Sequence, residues 1–88
     1  MNINEVEKKY KALANRRRLK ILKFLSLNKG AKVGEIADNI SLSFKATSKH
    51  LLILKSSGFI DSEQVNLEQR YSIIDKSDSF TKHAFSVL

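Results

Sequence analysis

SLSFKATSKHLLILKSSGFI, residues Ser41 to Ile60, has helical spacing and two unlike halves. The leading half carries small hydroxyls and lysines: Ser43, Lys45, Thr47, Ser48 and Lys49. The trailing half carries Leu51, Leu52, Ile53 and Leu54. At 100° per residue, Thr47, Leu51 and Leu54 fall on one stripe, while Phe44, Lys45, Ser48, Lys49 and Leu52 fall on the opposite one. A helix of this kind buries its trailing end and presents a wet, basic leading end. Ser43 is placed to cap it by accepting a backbone N–H, and Gly58 can adopt the left-handed conformation that ends it.

The segments before it read as three more helices. From Asn4, the residues Val6, Tyr10 and Leu13, with Ile3 one turn earlier, make an apolar face. Asn15 caps a second helix whose apolar positions are Leu19, Ile21, Leu22, Leu25 and Leu27, stopping at Asn28 and Gly30. A short third helix over Val33 to Ile40 turns Ile36, Ala37 and Ile40 inward, and Ser41 to Ser43 form a tight turn into the fourth. Two helices joined by a brief turn, the second with a basic leading end, make a helix-turn-helix, whose second helix enters the DNA major groove.

After Gly58 the period changes. Phe59 to Val65 and Gln69 to Ile74 are strand segments joined through Asn66, Leu67 and Glu68, with Asn66 supplying the positive φ in place of glycine. This hairpin is expected to be a wing, with Tyr71 in its core. In the tail, Asp75 or Ser77 can cap a last helix of about ten residues, with Phe80, Ala84 and Val87 or Leu88 at helical spacing. The expected fold is mainly α with a small β-hairpin, a single winged helix-turn-helix domain over residues 1–88.

Charge points the same way. The 88 residues carry 16 Lys and Arg against 9 Asp and Glu, a net +7 that suits a polyanionic partner. Residues 1–31 hold +7, residues 32–58 hold +2 and residues 59–88 hold −2. No cysteine is present, which removes disulfides and thiolate metal sites. No apolar run reaches the roughly 20 residues that span a bilayer, and the N-terminus lacks the apolar core of a secretory signal, so a cytoplasmic protein is expected.

At these residues the chain resembles the ArsR family of winged-helix regulators. KALANRRRLKIL, Lys11 to Leu22, resembles the family's opening signature. VGEIADNISLSFKATSKHLLILKSSGFI is similar to its turn and recognition helix, and QRYSI, Gln69 to Ile73, to its second wing strand. The resemblance covers about residues 10 to 74. It implies a homodimeric DNA-binding repressor, often relieved by a metal or other signal, paired through its first and last helices. It assigns Ser43 to the cap, Phe44, Lys45, Ser48 and Lys49 to the groove-facing surface, and His50 and Arg70 to the vicinity of phosphates.

The chemistry of these side chains fits independently. Lysine reaches guanine O6 and N7 or a phosphate, serine donates to either, and Phe44, where the family commonly has a polar amide, suits a thymine methyl. His50 has a plainer reading, packing at the core rim and donating one hydrogen bond. Arg18 matches the family's structural arginine and is expected as an internal anchor. Arg16 and Arg17 are weaker phosphate candidates.

Other function classes fit less of the chain. Catalysis lacks a cysteine nucleophile, a glycine-rich phosphate loop, and a carboxylate partner at motif spacing for His50 or His83. Val33, Gly34 and Glu35 stand where the resemblance implies a metal-binding cysteine pair. For the family's site on the final helix, Asp75, Asp78 and His83 have no clean shared face. No cofactor is expected. RRRLKILKFLSL, Arg16 to Leu27, would also suit a membrane-surface helix, but that reading leaves residues 41–74 without a role. A winged helix acting as a protein adaptor without DNA contact is the remaining alternative.

Overall fold

The computed structural model describes residues 1–74 and 79–88. Helix α1 (Ile3–Leu13) is capped by Asn2, whose side chain accepts from the Glu5 N–H at 2.9 Å. Helix α2 (Arg16–Leu27) starts at Asn15, which accepts from the Arg18 N–H at 3.1 Å. A two-residue strand, β1 (Ala31–Lys32), leads directly into α3 (Val33–Ile40), and α4 (Phe44–Ser56) follows a three-residue turn. Strands β2 (Ile60–Val65) and β3 (Glu68–Ile73) form the wing, and α5 (Ser79–Ser86) closes the order. The expected caps Asp75 and Ser77 lie outside the described residues.

The turn between α3 and α4 sets the helix-turn-helix. Ser41 sits at φ 54, a left-handed conformation that ends α3 as glycine usually would. The Leu42 N–H then donates to the Ala37 carbonyl at 3.0 Å, and Leu42 packs against the core. Ser43 opens α4 by accepting from the Ala46 N–H at 3.1 Å. Gly58, at φ +84, ends α4 and turns the chain so that Phe59 enters the core.

Phe59, Ile21, Leu22, Ile36, Leu51, Leu54 and Ile60 are the large apolar side chains with no appreciable exposure. They come from α2, α3, α4 and the root of the wing, so the trailing half of α4 is part of the main core. The sheet order is β1-β3-β2, antiparallel throughout, with Lys32 opposite Arg70 and Glu63 opposite Arg70 on the other side.

Four expectations are corrected in detail. Val65 pairs with Glu68, so the hairpin turn is only Asn66 and Leu67, and Glu68 belongs to the strand. Asn66 takes φ 59, the positive value a two-residue hairpin turn requires. Leu27 is 78% exposed because it shares the outer stripe of α2 with Arg16, Lys20 and Lys23. Ile3 is 83% and Tyr10 62% exposed, so the apolar face of α1 is only partly covered within one chain. Among the described residues the last helix spans Ser79–Ser86, and Val87 lies beyond its end and exposed.

Thr47 is fully buried, and its hydroxyl has no hydrogen-bond partner among the described residues. An unmade buried hydrogen bond is destabilising, so Thr47→Val should raise unfolding stability by about 1 kcal/mol. Leu51→Ala, at an equally buried position one turn later, should lower it by about 2–5 kcal/mol. Urea unfolding of both variants checks the pair, and a Thr47→Val protein less stable than the parent would show that the hydroxyl is satisfied.

Candidate nucleic-acid interface

The outward side of α4 has three edges. Its centre carries Lys45, Lys49 and Leu52, all exposed. No ion pair engages Lys45 or Lys49 among the described residues, and α4 contains no acidic side chain. The second edge, Phe44, Ser48 and Lys55, faces the wing. Phe44 is 64% exposed and shares with Leu67 and Tyr71 a cleft of about 740 Å³ between α3, α4 and the hairpin. Lys55 donates to the Ser62 hydroxyl at 2.8 Å and lies 3.9 Å from Asp61.

The third edge faces α2, where His50 meets Arg18 with Nη1 and Nδ1 3.3 Å apart. A guanidinium only donates, so His50 Nδ1 accepts and the proton of the neutral ring resides on Nε2. His50 thus lies half-buried at the core rim, as its plainer reading has it, but in its bond to Arg18 it accepts where that reading had it donate. Burial, then the charges of Arg18 and Arg17, push the imidazole below its ordinary value of 6.5.

Arg18 is the internal anchor expected of it. Its Nε donates to the Ala12 carbonyl at 2.7 Å and its Nη2 to the Lys11 carbonyl at 3.1 Å, both at the end of α1. Arg17 is exposed beside His50, and its nearness was not legible from spacing alone.

Ser43, Phe44, Lys45, Ser48 and Lys49 therefore share one continuous surface, with His50 at its α2 margin. Arg70 stands apart from them. Its guanidinium donates to the Gly30 carbonyl at 3.2 Å and lies 3.9 Å from Glu68, which also pairs with Lys32 at 3.1 Å. Strand alternation puts Arg70 on the sheet face opposite Gln69 and Tyr71, the residues that line the cleft beside Phe44.

The wing is acidic: residues 60–73 hold Asp61, Glu63 and Glu68 against Arg70. Sequence reading missed Lys55, although its spacing from Phe44 and Ser48 places it on their edge. Among the described residues no group of three His, Asp or Glu lies close enough to hold a metal ion. Asp75 and Asp78, two of the three metal candidates, lie outside the described residues. No helix among the described residues is long and apolar enough to cross a membrane.

A helix-turn-helix with a capped, basic, unpaired leading end and a hairpin beside it defines a winged helix-turn-helix protein. The model of the bacterial regulatory proteins of the arsR family matches residues 15–62, and the chain belongs to that family. It is 38% identical over 71 residues to the transcriptional activator HlyU of Vibrio cholerae, covering 73% of this chain and 65% of that one. It is 40% identical over 63 residues to the transcriptional regulator YgaV of Escherichia coli, covering 72% and 64%. The chain thus spans just under two thirds of the length of these curated relatives. Among solved structures, a homodimeric winged helix-turn-helix DNA-binding domain from Mycobacterium bovis, a possible ArsR-family regulator, superposes with TM-score 0.81 at 29% identity, covering 97% of this chain and 75% of that one. HlyU superposes with TM-score 0.80 at 30% identity over 99% and 92%.

The His50 pairing predicts a pH dependence with a definite sign. The folded pKa lies below the unfolded one, so between them the unfolded chain binds more protons and stability rises with pH. The contribution is fully present above about pH 6.5 and is lost as pH falls through the folded value. Urea unfolding across pH 5 to 8 should show this slope in the parent and a smaller one in His50→Gln, and an NMR titration of His50 should give a midpoint below 6.5.

Proposed function

We propose that the protein is a sequence-specific, double-stranded DNA-binding regulator of transcription that places α4 in the major groove. The observation that carries this reading is the outer stripe of α4. Two lysines without ion-pair partners among the described residues lie between two serines and an exposed Phe44, on a helix whose opposite stripe is locked into the core. Lys45 and Lys49 are the base-edge or phosphate donors, Ser43 and Ser48 add hydroxyl donors, and Phe44 reads a thymine methyl. His50 Nε2–H, which has no partner among the described residues, can donate to a phosphate at the α2 margin. The wing lies over the flanking backbone or minor groove. Arg70 is the only cation of its two strands, and its bond to Gly30 and its approach to Glu68 occupy part of its guanidinium.

The working form is a homodimer, supported by the uncovered apolar cleft between α1 and α5. Tyr10, Leu13, Leu19, Phe80 and Val87 line this cleft, whose volume is about 580 Å³. The Mycobacterium bovis neighbour is homodimeric. Pairing two copies there sets two recognition helices roughly 34–36 Å apart, one DNA turn. Repression by occupancy is the simplest mode, because a protein seated on duplex DNA blocks the same bases to others. The site of action is the cytoplasm, and no catalytic role is assigned.

Selection of bound duplexes from a random pool should yield a palindrome with half-sites one turn apart. Lys45→Ala or Lys49→Ala should lose about 1–3 kcal/mol on that sequence and relax one base position if the contact is to a base. A phosphate contact would instead weaken all sequences alike and reduce the salt slope by about one. If the double variant remains folded and keeps both affinity and salt slope, α4 is not the reading element.

A further inference from the structure

Lys9 is half-buried, and its ammonium is directed inward although it lies on a helix rich in exposed charge. Its Nζ donates to the Ser57 carbonyl at 2.9 Å, across 48 residues of sequence. It also lies 4.5 Å from the centre of the Phe59 ring. Ser57 is the C-cap of α4, so the cation sits where the helix dipole is negative and bonds one of its terminal carbonyls. A Cβ on Gly58 would come within 3.2 Å of the same Nζ, so the chain passes this point closely. Phe59 in turn stands 6.3 Å from the ring of Phe80, which meets Tyr10 edge-on at 4.8 Å. The end of the recognition helix, the root of the wing, α1 and α5 therefore meet around one ammonium.

We infer that Lys9 is a positioning residue for DNA binding, fixing the direction of the recognition helix relative to the face through which two chains pair. This rests on the dimeric DNA-binding reading above and deepens it. Tyr10 turns toward the α1–α5 cleft while its neighbour Lys9 turns toward α4, so α1 serves the pairing face on one side and the recognition helix on the other. Arg18 ties α4 near its middle through His50, and Lys9 ties its end. Thr47, Leu51 and Leu54 seat the helix in the core, and the two polar ties, at its middle and its end, narrow the tilt that this packing still permits. Thirteen residues of helix are about 20 Å long. With the Lys9 tie gone, a tilt of about 10° about the remaining tie at His50 carries the leading end, about 9 Å away, by about 1.6 Å, roughly half the rise of one base pair.

The test uses Lys9→Met, which keeps the stem and removes the charge, and Lys9→Arg, which restores the donor. Because the chain has no cysteine, Ser56→Cys on the exposed side of α4 gives one spin-label site per protomer. The distance distribution between labels should be narrow in the parent dimer, broader in Lys9→Met and narrow again in Lys9→Arg. On DNA, Lys9→Met should lose about tenfold in affinity for the full palindrome, through a poorer effective concentration at the second half-site. Its affinity for an isolated half-site should stay unchanged, and its preference should spread to neighbouring spacings. An unchanged label distribution and spacing preference overturns the role of Lys9 and leaves the DNA reading standing. Equal losses on half-site and full site also overturn it, since they mark a general stability effect. Lys9→Gln, shorter and neutral but still a donor, serves if Lys9→Met does not fold, and loss of fold in both overturns the proposal. A parent protein that forms no dimer, or prefers no duplex, overturns the reading beneath it.

Discussion

One guanidinium joins three helices of this protein. The last carbonyls of α1 have no partners within their own helix, and Arg18 supplies donors to two of them, Ala12 at 2.7 Å and Lys11 at 3.1 Å. Its remaining nitrogen reaches His50 on α4. A planar fork can bond two carbonyls and a ring nitrogen at once, and an ammonium cannot reproduce that arrangement. The angle between α1 and α2, and the seat of the recognition helix beside them, thus depend on a residue from the basic run Arg16 to Arg18. Arg18 stands in the first turn of α2, where a cation opposes the dipole, and its inward bonds are what offset that placement.

Much of this arrangement was legible because local chemistry and packing agree there. Val33 to Ile40 forms the expected helix with Ile36, Ala37 and Ile40 inward, and Thr47, Leu51 and Leu54 face the core as their spacing requires. Ser43 and Asn15 cap the helices that they precede, and Gly58 takes the left-handed conformation at the end of α4. What escaped the sequence had no periodic signal. A two-residue strand such as β1 has no alternation to detect, and it exists because Gly30 and Ala31 can lie against β3. Leu27 continues an apolar series but falls on the cationic stripe. That Nδ1 of His50 accepts, rather than donates, depends on a partner 32 positions away.

The charge of the chain is sorted by this packing. Glu68 pairs with Lys32 and lies near Arg70, and Asp61 lies near Lys55, so two of the wing's three carboxylates sit among cations from three elements. These are largely exposed pairs, worth little individually to stability. Their effect is on the field: the hairpin becomes a nearly neutral neighbour for α4 instead of a repulsive one for a polyanion. Helices α2 and α4, which contain no acidic side chain, keep their positive potential at the surface.

Counting cations therefore says less about function than asking which of them are already held. Of the three lysines on α4, Lys55 is drawn to Ser62 and Asp61 and braces the wing, while Lys45 and Lys49 have no such partners among the described residues. Lys9 caps the far end of the same helix, and Arg18 secures its middle through His50. Each held cation spends its hydrogen bonds on geometry and gives up freedom to meet a phosphate or a base edge. The free pair can have that freedom at the leading end because the held set fixes the trailing end. The wet and apolar halves of Ser41 to Ile60 are thus two requirements on one rigid rod, one end free to bind and the other bound within its own fold.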